Sequence, residues 1–411
     1  MPRLRALILR NLARSAQREK TGLTAGPIPI CRAQSPDMPF AIPASPGAIT
    51  AQWLTAALQA GKTVTSSSAT AASLSRIGED EGFTGGSLYL ARLSYDHPEP
   101  GAPTTLVAKL SPCDPETRAI MRVANGREVD FYQTLAQDIT LPVPRCYYAG
   151  CDRETGASIL LLQDLSGHRS VPFIKGCGAA DARRVIEALA EIHAKWWDNP
   201  ALKALNGAAI LDEFRFGKLW PRYPETLKTL LHDIDLPDSF LKLGHHIASN
   251  EADVFKGLLE TAPITCLHRD VQIDNVMFAP ANGGGGAILL DWQISGKGRG
   301  AYDVGYFLIS SIEPAQRRNW ERGLVAHYHA ELLQRGVTGY SLAQCWTDYL
   351  QSVAGKLLLT VAATVLLDNS SAHKKAWRAA DLKRLLAFCK DHRISEQTFA
   401  VRDQNCGGDQ K

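Results

Sequence analysis

The sequence predicts an α+β chain of two lobes, a small antiparallel β-sheet lobe followed by a larger helical one. Three observations carry this. Residues 70–165 hold short runs of alternating apolar residues, punctuated by Gly and Pro, with one helical run among them. After Gly167 long runs with helical spacing take over. Inside that helical half lies a single β-like island, residues 264–291, dense in carboxylate, amide and imidazole side chains.

The elements follow in order. ITAQWLTAALQ, from Ile49, reads as a short amphipathic helix with Trp53, Leu54 and Leu58 on one side. SLSRIG (73–78), SLYLARLSY (87–95) and TLVAKLSP (105–112) read as strands. Residues 114–137 read as a helix, with Gly126 a possible interruption. RCYYAG (145–150) and SILLLQDL (158–165) return to strand character, and the hinge between lobes is expected near Gln163–Gly167. In the helical half, Val185, Leu189, Ile192 and Trp196 form a stripe at spacings of four, three and four. Further helices are expected over about 240–262, 314–335, 341–368 and 374–392. The glycine run at 281–287 reads as a hairpin tip. The chain thus divides into an extension (1–44), an N-lobe (45–165), a C-lobe (166–396) and a tail (397–411).

Composition excludes several function classes. With 411 residues, the chain allows two or three domains or one two-lobed enzyme. A 45% hydrophobic content excludes global disorder. Lys plus Arg number 45 against 42 Asp plus Glu, and a net charge of +3 argues against a dedicated nucleic-acid binder. The longest candidate for a membrane span, Leu357–Leu367, has only 11 positions. A bilayer needs about 20, so this run reads as a buried helix and no membrane partner is expected. The nine cysteines are scattered, with no Cys-x-x-Cys to suggest a zinc ribbon or thiol redox site. They fit a reducing compartment, and a cytoplasmic location is expected. Residues 1–37 are basic and poor in acid, a pattern resembling an organellar transit peptide. The simpler reading is a disordered tail, or a start assigned too early with Met38 as the first residue.

The chemistry concentrates in ITCLHRDVQIDNVMFAP and AILLDWQ. Asn275 follows Asp270 by five positions, and Asp291 follows Asp270 by 21 at the end of an apolar strand. A strand–loop–strand–hairpin–strand path brings all three to one end of a small sheet. Mg²⁺ takes oxygen ligands and keeps several waters, so Asp291 and Asn275 suffice beside ATP phosphates. A carboxylate neutralised by metal is a poor base. Asp270 is therefore the group left to accept a hydrogen bond from an alcohol and orient it. Lys109, inside an apolar strand, needs a counter-charge; Glu128 on the following helix can supply it, with Glu116 a rival. Gly82, Gly85 and Gly86 lie between two strands, where backbone amides could approach phosphates. His268 is expected to orient the loop from a packed position, and His193 and Trp196 to belong to the core. Trp292 and Gln293 either anchor the strand end or border the acceptor pocket. The basic stretch His373, Lys374 and Lys375 with Arg378, Lys383 and Arg384 reads as a solvated helix face.

On these pieces the chain resembles the aminoglycoside and choline phosphotransferase superfamily, and most of all its ecdysteroid-kinase-like branch, the CHK kinase-like group. The matching pieces are VAKL with Lys109, REVDFY with Glu128, ILLLQDL, ALAEIHAKWW, HRDVQIDN, and LLDWQ followed by YDVGYFL. The resemblance implies a bilobal protein-kinase-like fold, ATP and Mg²⁺, and a small-molecule hydroxyl acceptor. It also implies that hinge backbone from Gln163 to Leu165 binds adenine and that Asp303 braces the catalytic loop. Two features depart from the pattern. Arg269 stands where this branch more often has glycine, and the glycine loop is Gly-x-x-Gly-Gly. The sequence therefore reads as an ATP- and Mg²⁺-dependent phosphotransferase acting on a small-molecule hydroxyl. An aminoglycoside kinase and a catalytically silent binding protein of the same fold are the alternatives. The acceptor is expected between the catalytic loop and the C-terminal helices.

Overall fold

The computed structural model describes residues 40–78, 86–137, 140–205, 209–232, 234–280 and 285–399. Gly82, Gly85, most of the extension, the hairpin tip at 281–284 and the end of the tail lie outside the described residues. The N-lobe begins with α1 (Ala51–Ala60), whose first turn is capped by the Thr50 hydroxyl accepting from the Trp53 N–H at 3.1 Å. A five-stranded sheet follows: β1 (Ala69–Ile77), β2 (Ser87–Tyr95), β3 (Thr105–Leu110), β4 (Cys146–Cys151) and β5 (Ser158–Gln163). Its order is β1-β2-β3-β5-β4, and every pair is antiparallel.

Strand alternation decides what each face carries. Leu106, Ala108 and Leu110 of β3 and Ile159 and Leu161 of β5 pack against Trp53, Leu54, Ala57 and Leu58 of α1. The opposite face of β5, Leu160 and Leu162, meets Val129, Phe131 and Tyr132. Lys109 pairs with Leu160 in register and so shares that second face. The helix beneath it, α2 (Pro115–Asp130), is capped by Asp114, which accepts from the Thr117 N–H at 2.8 Å. Gly126 does not interrupt it. The helix ends at Asp130 and passes into one π turn, Phe131–Leu135, where the expected helix ran on to 137.

The C-lobe is built from α3 (Ala179–Trp196), α4 (Ala209–Phe214), α5 (Phe216–Leu219), α6 (Tyr223–Leu231), α7 (Asp238–Ser249) and α8 (Glu251–Leu259). Four three-residue strands follow, β6 (Thr265–Leu267), β7 (Val276–Phe278), β8 (Ala287–Leu289) and β9 (Gly296–Gly298), pairing β6 with β9 and β7 with β8. Then come α9 (Ala301–Ser311), α10 (Pro314–Gln334), α11 (Leu342–Gln351), α12 (Val353–Leu366) and α13 (Ala372–Asp391).

The sequence expectation missed α9, β9 and the short helices between 209 and 231. It also merged two helix pairs. The run 240–262 breaks at Asn250, and 341–368 breaks at Ser352. At the second break α9 comes so close that a Cβ on Gly305 would lie 1.8 Å from the Ser352 Oγ. The stretch Leu342–Leu366 is long and apolar enough by composition to cross a bilayer, but 78% of its apolar 18-residue window is buried inside the protein. The expected solvated basic face is a correction. Arg378 and Arg384 on α13 are buried, and the Arg384 guanidinium donates to the Phe173 and Ser310 carbonyls and to Glu313. Arg378 donates to the Asn369 side-chain oxygen at 2.8 Å, so both arginines point into the lobe, where their own acceptors offset the desolvation.

Candidate active site

Lys109 stands at the centre of a cross-lobe cluster. Its Nζ donates to Glu128 on α2 at 2.8 Å and to Asp291 Oδ1 at 2.9 Å. Glu116 is exposed in the first turn of α2 and takes no part. Burial acts against the lysine's charge, but Asp291 and Glu128 outweigh it and raise the pKa above the usual value. Glu128 is itself buried and also accepts from the Trp292 N–H at 3.3 Å. The Trp292 indole stacks on Phe131 at 3.8 Å between ring centres. Gln293 donates to Asn125 at 3.3 Å. Trp292 and Gln293 thus anchor the strand end against α2. Asp291 itself adopts φ +65°, a left-handed conformation that turns the chain sharply after β8.

The loop between β6 and β7 carries Asp270 and Asn275. Asp303, in the first turn of α9, accepts from the His268 and Arg269 N–H groups at 2.7 and 2.8 Å. His193 Nε2 lies 3.3 Å from the same carboxylate, and its Nδ1 is hydrogen-bonded to the Tyr328 hydroxyl at 2.7 Å. His193 therefore belongs to the core, and through Asp303 it supports the loop. His268 is buried and donates from Nε2 to the Leu290 carbonyl at 2.7 Å, while its Nδ1 accepts from the Asp270 N–H at 3.2 Å. That pattern requires a neutral ring, and burial holds its pKa below the ordinary imidazole value. The histidine ties the loop to the residue preceding Asp291.

Asp270 is half-buried. Its Oδ1 accepts from the Tyr306 hydroxyl at 2.7 Å, and Asn275 Nδ2 donates to the Asp270 carbonyl at 2.9 Å. Burial pushes the Asp270 carboxyl up to about 7; the Tyr306 hydrogen bond opposes this and the charge on Asp291 adds to it. Arg269, at φ +70°, is buried and donates to the Lys297 carbonyl at 2.9 Å.

The donor set fits a hard divalent cation. The Asp291 side chain is 37% exposed to the cleft, so its carboxylate is reachable. Asn275 directs its NH₂ to the Asp270 carbonyl, which turns its amide oxygen away as a remaining ligand. Of the three glycines singled out, only Gly86 is described; it lines a small crevice with Lys109, Asn125, Glu128 and Gln293. At the hinge, the Gln163 N–H is taken by the Arg145 carbonyl at 2.8 Å. The Leu165 carbonyl accepts from the His168 N–H at 2.8 Å. Neither the Asp164 N–H nor the Leu165 N–H makes a hydrogen bond among the described residues, which leaves two unused donors at the hinge.

Sequence reading missed Tyr306, although it lies in the YDVGYFL segment, and missed Lys356 and Asp381 behind it. Lys356 pairs with Asp381 at 2.6 Å, and its Nζ sits 4.7 Å from the centre of the Tyr306 ring. A lone lysine beside the most apolar run of the chain was the available signal.

A β-sheet lobe with a lysine–glutamate pair, set over a helical lobe whose braced loop presents Asp270 and Asn275, is a protein-kinase-like fold. A model of the phosphotransferase enzyme family matches residues 98–340, more than half of the 411 residues, and the chain belongs to that family. It is also similar to an uncharacterized kinase-like protein of Caenorhabditis elegans. The two are 26% identical over 240 residues, 53% of this chain and 60% of that protein. The chain thus spans less than two thirds of that relative's length. Among solved structures, it is similar to a choline/ethanolamine kinase family protein from Mesorhizobium loti. That match has a TM-score of 0.45 and 16% identity, covering 79% of this chain and 91% of the other. For choline kinase from Cryptosporidium parvum the TM-score is 0.46 and the identity 12%, covering 78% and 89%.

Proposed function

We propose that the protein is a small-molecule kinase that moves the γ-phosphoryl group of ATP onto a hydroxyl of a small organic molecule. The observation that carries this reading is the cross-lobe cluster, in which Lys109 holds Glu128 and Asp291 while Asp270 stands on a loop braced by Asp303. Lys109 would bind the α- and β-phosphates, and the Gly86 backbone would lie along them. The Leu165 N–H would meet the adenine edge. Asp291 and Asn275 would hold Mg²⁺, which neutralises phosphate charge when bound. The acceptor oxygen forms a bond to the γ-phosphorus as the bond to the β–γ bridging oxygen breaks, releasing ADP. The hydroxyl proton passes to the Asp270 carboxylate, whose pKa of about 7 suits a base at neutral pH.

The charges around Asp270 bear on the acceptor. Two cations, Lys356 and Arg378, and two further carboxylates, Asp291 and Asp381, act on this carboxylate. That even balance does not gather the surplus of negative charge that a polycationic aminoglycoside calls for. Thermal shift with ATP, with and without Mg²⁺, tests nucleotide binding, because a native-state ligand raises apparent stability. An ATP-consumption screen over sterols, amino alcohols, sugars and aminoglycosides then tests the acceptor class. Metal-dependent stabilisation and turnover with a non-cationic alcohol are expected. No stabilisation by ATP at any concentration would leave a binding protein of the same fold.

A further inference from the structure

We propose that Tyr306, backed by the buried Lys356–Asp381 pair, is the positioning residue that holds the Asp270 carboxylate in the orientation that receives the acceptor proton. The inference rests on the phosphotransferase reading above and assigns parts of the C-lobe that reading does not use.

The Tyr306 hydroxyl donates to Asp270 Oδ1 at 2.7 Å. That bond fixes one carboxylate oxygen and leaves the other, with Asn275 Nδ2 at 3.5 Å, as the acceptor-facing atom. The Tyr306 ring is held by two neighbours. Tyr302 lies nearly parallel to it, 6.5 Å away at 9°. Lys356 Nζ sits 4.7 Å from the ring centre, within the range of a cation–π contact. Lys356 is in turn fixed by Asp381 at 2.6 Å, and Asp381 Oδ2 accepts from the Thr360 hydroxyl at 2.9 Å. A line of contacts therefore runs from α13 through α12 and α9 to the catalytic loop.

Stability does not account for the pair. Lys356 is 1% exposed and Asp381 0%. Lys356 is the only charged residue of VAGKLLLTVAATVL, the most apolar helix of the chain. Taking both charges out of water is costly, and apolar residues of similar volume generally hold such a site as well or better. What an apolar pair cannot supply is a fixed positive charge against the face of Tyr306. The backbone is also shaped for this contact. A Cβ on Gly355, the residue before the lysine, would lie 2.0 Å from the Tyr302 ring. Glycine there admits α12 close enough to α9 for Lys356 to reach Tyr306.

The test uses the full chain, with Mg·ATP and the alcohol that turns over fastest in the panel above. Tyr306→Phe keeps the ring and removes the hydroxyl. It should lower kcat about tenfold or more while the KM for ATP stays within about twofold. A purely structural tyrosine would instead change melting temperature without that split, and a kcat within about twofold of the parent would overturn the proposal. The double variant Lys356→Met/Asp381→Leu replaces the pair with apolar groups. It should melt at or above the parent's temperature and still lose turnover; full activity in a well-folded double variant would also overturn it. Crystal structures of parent and Tyr306→Phe read the same point without an acceptor, since the Asp270 carboxylate should rotate in the variant, and one that stays in place counts against the role. Failure of the kinase reading itself appears separately, as a parent protein that ATP does not stabilise.

Discussion

Two lysines occupy apolar elements of this protein, one in each lobe, and their surroundings differ in a way that bears on the role proposed for each. Lys109 on β3 keeps 19% of its side chain exposed and meets two carboxylates, Glu128 at 2.8 Å and Asp291 at 2.9 Å. Lys356 on α12 is 1% exposed and meets one, Asp381, at 2.6 Å. The first cluster sets two carboxyl groups against one ammonium and opens on the cleft, so it has a ligand to offer a cation and a donor to offer anionic phosphates. The second is neutral and sealed, so nothing can exchange with it, and its effect is to hold its neighbours still.

Removing each lysine should separate the two roles. The largest expected effect is on turnover. Lys109→Met should reduce kcat/KM by about 10²–10³-fold and abolish the thermal stabilisation given by ATP, while the ligand-free protein still folds. Lys356→Met should do the reverse in emphasis. It leaves Asp381 charged and unpaired in the core, which costs about 3–5 kcal/mol, read by urea denaturation of the ligand-free protein. Equal losses of stability in both variants would break the comparison.

A smaller effect lies in the pH dependence of ligand-free stability, because Asp270 sits between the two clusters. Its carboxyl is pushed up to about 7 in the folded chain, well above an unfolded aspartate. The folded state therefore holds a proton that the unfolded state has released, and this contribution is full below about pH 4 and declines until about pH 7. Asp270→Asn cannot ionise and should escape the decline. Its stability relative to the parent should rise across that window by about 2 kcal/mol, a figure reduced for the group's partial exposure. Melting curves from pH 4 to 8 check the sign.

The N-lobe half of the site was the more legible. Period-two alternation in TLVAKL marks Lys109 as a charge on a face otherwise apolar, and the strand SLYLARLSY occurs where its pattern put it, over 87–95. The loop between β6 and β7 is local in sequence, so Asp270 and Asn275 could be read together. The C-lobe support was not legible for physical reasons. Helix α9 is buried on all sides, which erases the amphipathic stripe that reveals a helix. Strand β9 is Gly-Lys-Gly and has no strand composition at all. Tyr306 and Lys356 lie 50 positions apart on different helices, and their contact exists only once α12 docks. The arginines of α13 look like their lysine neighbours in composition, and only their buried acceptors, the Asn369 side chain for Arg378 and the Phe173 and Ser310 carbonyls for Arg384, distinguish them.

The arginine beneath the catalytic loop has an evolutionary corollary. A Cβ on Gly296 would lie 2.4 Å from the Arg269 guanidinium, so a bare backbone on β9 is what makes room for it. A relative with glycine at the position of Arg269 would have that space open and be free to carry a side chain opposite. The two positions should change in concert across the family, each small where the other is large.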